Sequence, residues 1–513
     1  MERKRYGHGA ALVLSVALAA GSLAGCSSDQ TAAKDSGSLS KGEAGEGPLE
    51  ITIGTPQVGE APKADSEVER AIEKYTNTKL EIQWIPTAAF EDKKNVMIAS
   101  GDMPKAFKLT FNATTLSAIQ SGLFWEIGPY LKDYKNLAEP NPMHYDNIKV
   151  DGKLYGLPLY RDIGRAGLTH RKDWFDGLGL KTPVTIDEWY SMMKTVAEKD
   201  PDKNGQADTY GMFLDKSYND PVSSSAFLTR FAVAQGAPNK WGVVDGKVIP
   251  EFMTGPYQDS LNLLRRLYAE KLINQDFSVV QAADADNKWN AGKVAIRVNT
   301  VASAAATSAN NLKKAVPDAV VDIVPFAGPG GNRVPAEPGN NGFFVFPKSS
   351  VKSEEELKRL LAFFDKLLEP EMSTLLTRGM EGKHFKKTDD GKAQFLDLNL
   401  FNLEVKPFRD SLPSFEVTGK GLPLKLDELQ EKGWKVVSDN LKNAVPNVAL
   451  TLNSKTYVEN GSELDTHIRD AQTKYIMGKL DEAGFQAELE AWRNMGGDKV
   501  IEEFTAEYAK LKK

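Results

Sequence analysis

The order of strand-like and helix-like segments between residues 49 and 104 constrains the fold most strongly. Leu49 to Ile53 alternates apolar and polar residues, as a half-buried strand does, and Lys79 to Pro86 repeats this pattern. A capping box, Ser66-x-x-Glu69, starts a helix between them, and a second helical stretch ends at Gly101. Strand, helix, strand, helix predicts an α/β domain with a largely parallel sheet.

The chain is too long for one such domain. It has 513 residues, and single hydrophobic cores stop growing well below that length, so two or more domains are expected. Alternating or apolar runs predict further strands at Lys293–Asn299, Val320–Phe326 and Phe343–Phe346. The C-terminal part is mostly helical in pattern. We therefore expect more than one sheet.

The N-terminus has the features of an export signal. A basic stretch from Arg3 to Arg5 precedes an apolar run from Ala10 to Ala20, which is shorter than the roughly 20 residues that span a bilayer. Leu23-Ala24-Gly25-Cys26 follows, and it resembles the bacterial lipobox. We expect residues 1–25 to be a signal peptide and Cys26 to carry the lipid, including palmitate.

Residues 26–47 are predicted to be a flexible tether, because they are rich in Ser, Gly and charge and have almost no apolar content. The whole chain has a net charge of −6, and removal of residues 1–25 takes away three basic residues and one acidic residue, which leaves about −8. This balance argues against nucleic acid as a partner. The lipid is then the only expected membrane anchor, and we expect a monomer.

A search for catalytic motifs is mostly negative. The sequence has no His-Glu-x-x-His, no Gly-x-Ser-x-Gly and no phosphate-binding Gly-x4-Gly-Lys-Ser/Thr. His144, His170, His384 and His467 show no ligand spacing. Paired carboxylates for glycoside hydrolysis stay possible, because 70 acidic residues make chance pairs inevitable.

One loop has the spacing of a calcium site. Oxygen-bearing residues stand at positions 1, 3, 5 and 9 of an EF-hand-type loop, a glycine stands at position 6, and position 7 offers its carbonyl. The predicted ligands of a structural calcium ion are Asp200, Asp202, Asn204, Gln206 and Asp208. Gly211 replaces the usual bidentate glutamate at position 12. The alternative is a solvated acidic turn.

Aromatic residues near arginine and asparagine suggest a sugar site. Sugar rings stack on aromatic faces, and their hydroxyls bond to polar side chains. Tyr160-Arg161 supplies this mixture, and so does the set Trp289, Arg297 and Asn299. For any single aromatic residue, burial in a core is the alternative interpretation.

Several longer stretches carry a family resemblance. They cover nearly the whole mature chain: Ile98–Pro104, Tyr155–Pro158, Arg171–Trp174, Leu178–Leu180, Asp200–Gly211, Tyr268–Asn274, Ala291–Val294 and Gly379–Phe385. With them the chain resembles the extracellular solute-binding lipoproteins of carbohydrate ABC importers, in the subgroup with LplA-like lipoproteins and alginate-binding proteins.

The resemblance implies a two-lobe, periplasmic-binding-protein-like α/β fold with hinged lobes, discontinuous segments and extra C-terminal helices. We expect lobe 1 at 48–160 plus 325–370 and lobe 2 at 165–320 plus 371–513. The implied cleft residues lie at strand ends: Thr55, Gln57, Thr110, Phe111, Tyr160, Arg161, Arg297, Asn299 and Asn341. It also implies calcium in the acidic loop, although alginate-binding members have an acidic residue where this chain has Thr209.

The implied function is capture of an oligosaccharide between the lobes and its delivery to two ABC permease subunits with a cytoplasmic ATPase. The protein is then expected on the extracellular face of a Gram-positive-type cell membrane and is not an enzyme. Two alternatives stay open. One is a polysaccharide-degrading hydrolase or lyase, and the other is a sugar sensor without a transport role.

Overall fold

The computed structural model describes residues 47–57, 60–415 and 419–511. The predicted signal peptide, Cys26 and the tether up to residue 46 lie outside the described residues. Residues 48–513 form one compact unit. No helix in the described ranges combines the length and apolar character needed to cross a bilayer.

The strands and helices of the described residues are numbered in chain order. The strands are β1 Leu49–Gln57, β2 Thr78–Pro86, β3 Ala106–Leu109, β4 Gly156–Tyr160, β5 Ala166–Arg171, β6 Trp241–Val244, β7 Lys247–Pro250, β8 Ile296–Thr300, β9 Val321–Val324, β10 Ala327–Gly328, β11 Gly331–Asn332, β12 Val334–Pro335, β13 Asn340–Val345, β14 Phe385–Lys387, β15 Ala393–Phe395 and β16 Ala444–Val445. The helices are α1 Glu67–Thr76, α2 Thr87–Ser100, α3 Ala113–Gln120, α4 Lys135–Ala138, α5 Met143–Asp146, α6 Lys172–Leu178, α7 Ile186–Glu198, α8 Phe227–Ala234, α9 Gly255–Ala269, α10 Ala282–Asn290, α11 Val301–Ser303, α12 Ala309–Ala315, α13 Glu354–Leu367, α14 Pro370–Arg378, α15 Leu398–Glu404, α16 Lys406–Ser411, α17 Glu428–Asn440, α18 Lys455–Ile476, α19 Glu482–Trp492 and α20 Asp498–Leu511.

The predicted helix starts are present with their caps. The hydroxyls of Ser66, Thr185 and Ser353 accept hydrogen bonds from the backbone N–H three residues later. At Thr185 the capping box is complete, because the Glu188 carboxylate also accepts the Thr185 N–H at 3.0 Å. Each cap satisfies an N–H group that has no partner inside its helix.

The first sheet has the strand order β2-β1-β3-β13-β4. β1 runs parallel to β2 and β3, as the opening pattern predicts, whereas β13 runs antiparallel to both β3 and β4. β13 is the strand that departs from the predicted parallel arrangement. The chain leaves the sheet at the end of β4 and returns in the opposite direction at β13. The C-terminal ends of β1, β3 and β4 and the start of β13 therefore share one edge of the sheet.

The second sheet is smaller and antiparallel, with the order β8-β5-β9. β5 is its central strand and is buried along its whole length. Because β5 begins six residues after the end of β4, one short segment connects the two sheets. The sheets thus lie on either side of the predicted hinge stretch.

Two large hydrophobic cores surround these sheets. The first contains residues 49–160 and 343–412, and the second contains residues 166–334 and 449–504. Our sequence-based boundaries assigned 371–513 to lobe 2, but the buried side chains from Met372 to Leu412 lie in the first core. α16 packs on the first sheet there, and the ring of Phe408 meets that of Trp84 edge-on at 5.8 Å.

Candidate functional site

A cavity of about 520 Å³ lies between the first core and a small apolar cluster at the end of β8 in the second sheet, which includes Val301 and Val437. Its walls come from the end of β4, the segment 161–165, the end of β8 and residues 409–437. The lining residues that carry polar or aromatic groups are Tyr160, Arg161, Asp162, Arg165, Thr300, Ser303, Thr307, Asn341, Arg409, Asp410, Ser414, Phe415, Gln430 and Trp434. A cavity of this size and mixed lining is typical of small-molecule sites.

One wall is an aromatic stack. The Tyr160 and Phe415 rings lie nearly parallel, with centroids 4.2 Å apart and an interplanar angle of 20°. The Tyr160 hydroxyl hydrogen-bonds to that of Tyr145 at 2.7 Å. Burial, with the neighbouring Tyr145, raises the pKa of Tyr160 well above its usual value. Tyr160 is therefore a neutral, anchored ring that holds the more exposed Phe415 against the cavity.

A second wall is held by a buried carboxylate. Glu337 accepts hydrogen bonds from Arg165 Nε at 2.9 Å, Arg230 at 2.7 Å and the Ser225 hydroxyl at 2.7 Å. Burial opposes ionisation of Glu337, but the two guanidinium groups outweigh it and the pKa is lowered. The ionised Glu337 thereby fixes the Arg165 side chain at the cavity wall.

Residues 409–410 bring a further ion pair to the cavity. Asp410 bonds to Arg409 at 2.9 Å and to Lys406 at 2.6 Å, so two cations compensate one carboxylate. Across the cavity mouth, the Arg161 side chain is exposed and its backbone N–H donates to the Gly339 carbonyl at 2.9 Å. The described walls are thus rich in fixed positive charge.

The structure brings three of the predicted ligand residues together: Tyr160, Arg161 and Asn341. Four others lie at the same edge of the first sheet without lining this cavity: Thr55, Gln57, Thr110 and Phe111. Phe111 packs on Phe343 with ring centroids 5.9 Å apart, and Thr110 is exposed. Shared position at the strand ends explains why these residues are near the site.

The remaining predicted ligand residues have structural roles here. Trp289 is fully buried on α10 in a small core, and its indole N–H donates to the Ser308 carbonyl at 3.1 Å. Arg297 forms an ion pair with Asp286 and lies over the Trp289 ring at 5.8 Å. Asn299 accepts the Thr169 hydroxyl at 3.0 Å on the neighbouring strand. Trp289 is therefore a core residue in this structure, in line with the alternative interpretation given for single aromatic residues.

Several lining residues were missed from the sequence. Phe415, Arg409 and Arg165 follow no strand or motif that marks a cleft. Trp434 and Gln430 lie on α17 and not at a strand end. Arg165 reaches the cavity from the segment between β4 and β5, and the others reach it from residues 409–437. Periodicity does not reveal either approach.

The predicted calcium loop folds around its own side chains. The Asp200 carboxylate accepts the backbone N–H groups of Asn204 at 3.3 Å and Gly205 at 2.8 Å. The Asn204 amide donates to Asp202 at 3.0 Å and Asp208 at 3.2 Å. Gly205 has φ +76°, which favours glycine at the sharp turn. These contacts form a sharp turn at the position where the predicted motif has its glycine.

The donor set fits a cation only in part. Lys293 places its ammonium 2.7 Å from both Asp202 and Asp208, although one buried oxygen of Asp202 has no partner within the described ranges. The Thr209 hydroxyl donates away from the loop, to the Val196 carbonyl at 3.2 Å. No three acidic, histidine or cysteine residues in the described part of the chain are grouped to hold a metal. Calcium stays a prediction.

A family model matches residues 57–373 and describes bacterial extracellular solute-binding proteins. The chain belongs to this family. This membership confirms the resemblance seen in the sequence, and it identifies the protein as an extracellular binding component of an importer rather than an enzyme. It also disfavours the hydrolase or lyase alternative.

Similar proteins extend over almost the whole chain. The lipoprotein LipO of Bacillus subtilis is 35% identical over 97% of this chain and 98% of its own length. The polygalacturonan/rhamnogalacturonan-binding protein YtcQ of the same organism is also 35% identical, over 98% of each chain. The crystal structure of the alginate-binding protein AlgQ2 without calcium ion aligns with 90% or more of both chains, at 18% identity and a TM-score of 0.63. That likeness shows the two-lobe α/β fold.

Proposed function

We propose that the cavity lined by Tyr160 binds an oligosaccharide and that the protein presents it to an ABC permease. The Tyr160–Phe415 stack carries this proposal, because it places an aromatic surface beside guanidinium, amide and hydroxyl groups. Sugars need both: apolar ring faces pack on aromatics, and hydroxyls take directional hydrogen bonds. The similarity to YtcQ, a polygalacturonan/rhamnogalacturonan-binding protein, supports a polysaccharide fragment as the ligand.

Capture would proceed by closure of two lobes. We assign lobe 1 to 48–160 plus 340–412 and lobe 2 to 166–334 plus 428–511, following the two cores. Ligand contacts from both lobes would stabilise a closed state, and the permease would recognise that state. The differential contacts come from Tyr160 and Asn341 on one side and from Thr300 and Trp434 on the other.

The remaining partners follow the same proposal. Two permease subunits and a cytoplasmic ATPase would complete the importer. Lipidation of Cys26 would anchor a monomer at the outer face of the cell membrane, and residues 27–47 would let the folded part stand off the surface. We also propose that calcium binds the loop from Asp200 to Asp208 and braces the end of α7, with Lys293 moving aside.

The proposal is tested with protein lacking residues 1–26 and a panel of neutral and acidic oligosaccharides. One oligosaccharide class is expected to raise the melting temperature, because a ligand at 100 times its Kd adds about 2.7 kcal/mol to the free energy of unfolding. The sugar should be recovered unchanged by mass spectrometry. Cleavage of the sugar, or the absence of stabilisation by every class, would contradict the proposal.

A further inference from the structure

Lys108 is a buried lysine at the cavity edge of the first sheet. It is the penultimate residue of β3 and has 4% of its surface exposed. Among residues 47–57, 60–415 and 419–511, none gives its ammonium a hydrogen bond or an ion pair. A buried cation without a direct partner is costly and requires an explanation.

The neighbouring strand places a second unsatisfied group beside it. In the parallel pair of β1 and β3, Gly54 is in register with Phe107, so Thr55 follows in register with Lys108. Alternation then puts both side chains on the face opposite Phe107. Thr55 is fully buried, and its hydroxyl has no hydrogen-bond partner among the described residues. Two polar groups thus lie together without internal partners.

The Lys108 side chain does not line the cavity, but it passes β13 beside a residue that does. Its Cε lies only 3.1 Å from the position that a Cβ would take at Gly342, so the tail crosses β13 at a residue without a side chain. Gly342 also has φ +88°, which favours glycine. The next residue along the strand, Asn341, lines the cavity. Arg161 and Asp410, which also line it, are the charged groups that act on Lys108 electrostatically.

Asp410 does not neutralise the charge of Lys108. It already bonds to Lys406 and Arg409, and Glu337 is likewise shared by two arginines. Each of these two carboxylates is therefore already shared by two cations, and neither is a direct partner of Lys108. Lys108 adds a further positive charge, although the whole chain carries −6.

We propose that Lys108 is a specificity-determining residue that binds a carboxylate of the captured sugar, so that the ligand is an acidic, uronate-containing oligosaccharide. This inference rests on the proposed function of the cavity. A ligand carboxylate supplies the missing partner of the ammonium. Charge-assisted bonds of this kind are about twice as strong as neutral ones.

The lowered pKa of Lys108 agrees with a site that lacks a compensating negative charge in the free protein. Burial, and secondarily the positive field of Arg161, lower its pKa to about 8, while Asp410 opposes this effect. The ammonium is therefore destabilised in the free protein and still mostly protonated at pH 7. A bound carboxylate would remove that destabilisation, which strengthens binding of acids over neutral sugars.

The test compares the wild type with Lys108→Met by calorimetric titration. The probes are trigalacturonate and its methyl ester, which has a similar shape and no charge. The wild type is expected to prefer the acid, and the variant to bind the acid about 10- to 100-fold more weakly, as for loss of one charged hydrogen bond. Affinity for the ester should change by less than about threefold.

Two controls separate this inference from its alternatives. Lys352→Met removes an exposed lysine beyond the opposite end of β13 and should leave both affinities unchanged. Lys108→Met should melt no lower than the wild type, because a buried unpaired charge is removed. Equal binding of acid and ester by the wild type, or unchanged acid binding by Lys108→Met, would overturn the role of Lys108 while leaving oligosaccharide capture intact. If neither probe nor any neutral oligosaccharide bound, the proposed function itself would fail.

Discussion

Tyr160 and Phe415 have different roles in the aromatic wall of the cavity. Tyr160 is 7% exposed and is fixed by its hydroxyl, whereas Phe415 is half-buried and faces the cavity. His144 meets the Tyr160 ring edge-on at 5.3 Å, and its Nδ1–H donates to the Gly339 carbonyl at 2.7 Å. The contact surface offered to a sugar is therefore mainly that of Phe415.

Substitution of these two residues should separate binding from support. Phe415→Ala is expected to weaken the oligosaccharide found by screening about tenfold, because a stacked ring is lost from the wall. Tyr160→Phe should keep the affinity within about twofold while lowering the free energy of unfolding by about 1 kcal/mol, through loss of the Tyr145 bond. Titration calorimetry and urea unfolding measure the two effects. If Tyr160→Phe lost the affinity and Phe415→Ala kept it, Tyr160 would be the contact residue instead.

At the scale of elements, the loop from Asp200 to Gly211 links α7 to the second sheet. Gly211 has no room for a side chain, since a Cβ there would lie 2.4 Å from the Met193 sulfur. The missing position-12 glutamate is thus explained by packing against α7. Burial opposes protonation of Lys293, but Asp202 and Asp208 outweigh it and raise its pKa, so the loop is held by an internal cation.

Calcium is expected to compete with that ammonium. Addition of 2 mM Ca²⁺ after removal of metal with a chelator should raise the melting temperature by a few degrees, and Asp200→Asn should abolish the response. Lys293→Met should enhance it, because two carboxylates are released. Mg²⁺ serves as the control ion, since it prefers a smaller octahedral site. An identical melting temperature with and without Ca²⁺ in both the wild type and Lys293→Met would contradict calcium binding.

At the scale of the whole molecule, the two cores are joined by crossing segments that bond to each other. The Arg161 N–H donates to the Gly339 carbonyl at 2.9 Å, and the Glu337 N–H donates to the Ile163 carbonyl at 3.0 Å. The Glu337 side chain then ties Arg165 of one crossing to Arg230 of the second core. These two connections, residues 161–165 and 337–339, form the proposed hinge, and one buried carboxylate stabilises it.

Removal of that carboxylate should therefore destabilise the protein as a whole. Glu337→Gln leaves two guanidinium groups near a neutral amide and is expected to cost about 3 kcal/mol of unfolding free energy at pH 7. Glu355→Gln, an exposed position on α13, is the matched control and should cost almost nothing. Equal stability of the two variants in urea would contradict the hinge role.

The Glu337 carboxylate also predicts how the free energy of unfolding changes with pH. The folded pKa of Glu337 is lowered, so its contribution is fully present above the usual value of 4.5 and is lost as the pH falls through the lower folded pKa. The stability difference between the wild type and Glu337→Gln should consequently shrink below about pH 4.5. A difference that grew in acid would show that Glu337 is protonated in the folded state.

Local patterns were sufficient for the elements. The caps at Ser66, Thr185 and Ser353 and the alternation of β1 and β2 are present where the sequence predicted them, because hydrogen bonds and side-chain period are local properties. The turn at Gly205 also forms as the spacing of the acidic loop indicates, since the bonds of Asp200 join residues at most five apart. The contacts of Lys293 with this loop are not local and were not predicted. The family, too, could be identified from short motifs.

Only the tertiary structure decided which residues face the cavity. Tyr160, Arg161 and Asn341 were found because strand ends converge at one edge of a sheet, whereas Trp289 has the same local signature and is buried. Phe415 and Lys108 have no local pattern that indicates their positions. Their positions depend on how the chain crosses between two cores and on a glycine that lets a lysine pass, and such contacts join residues hundreds of positions apart.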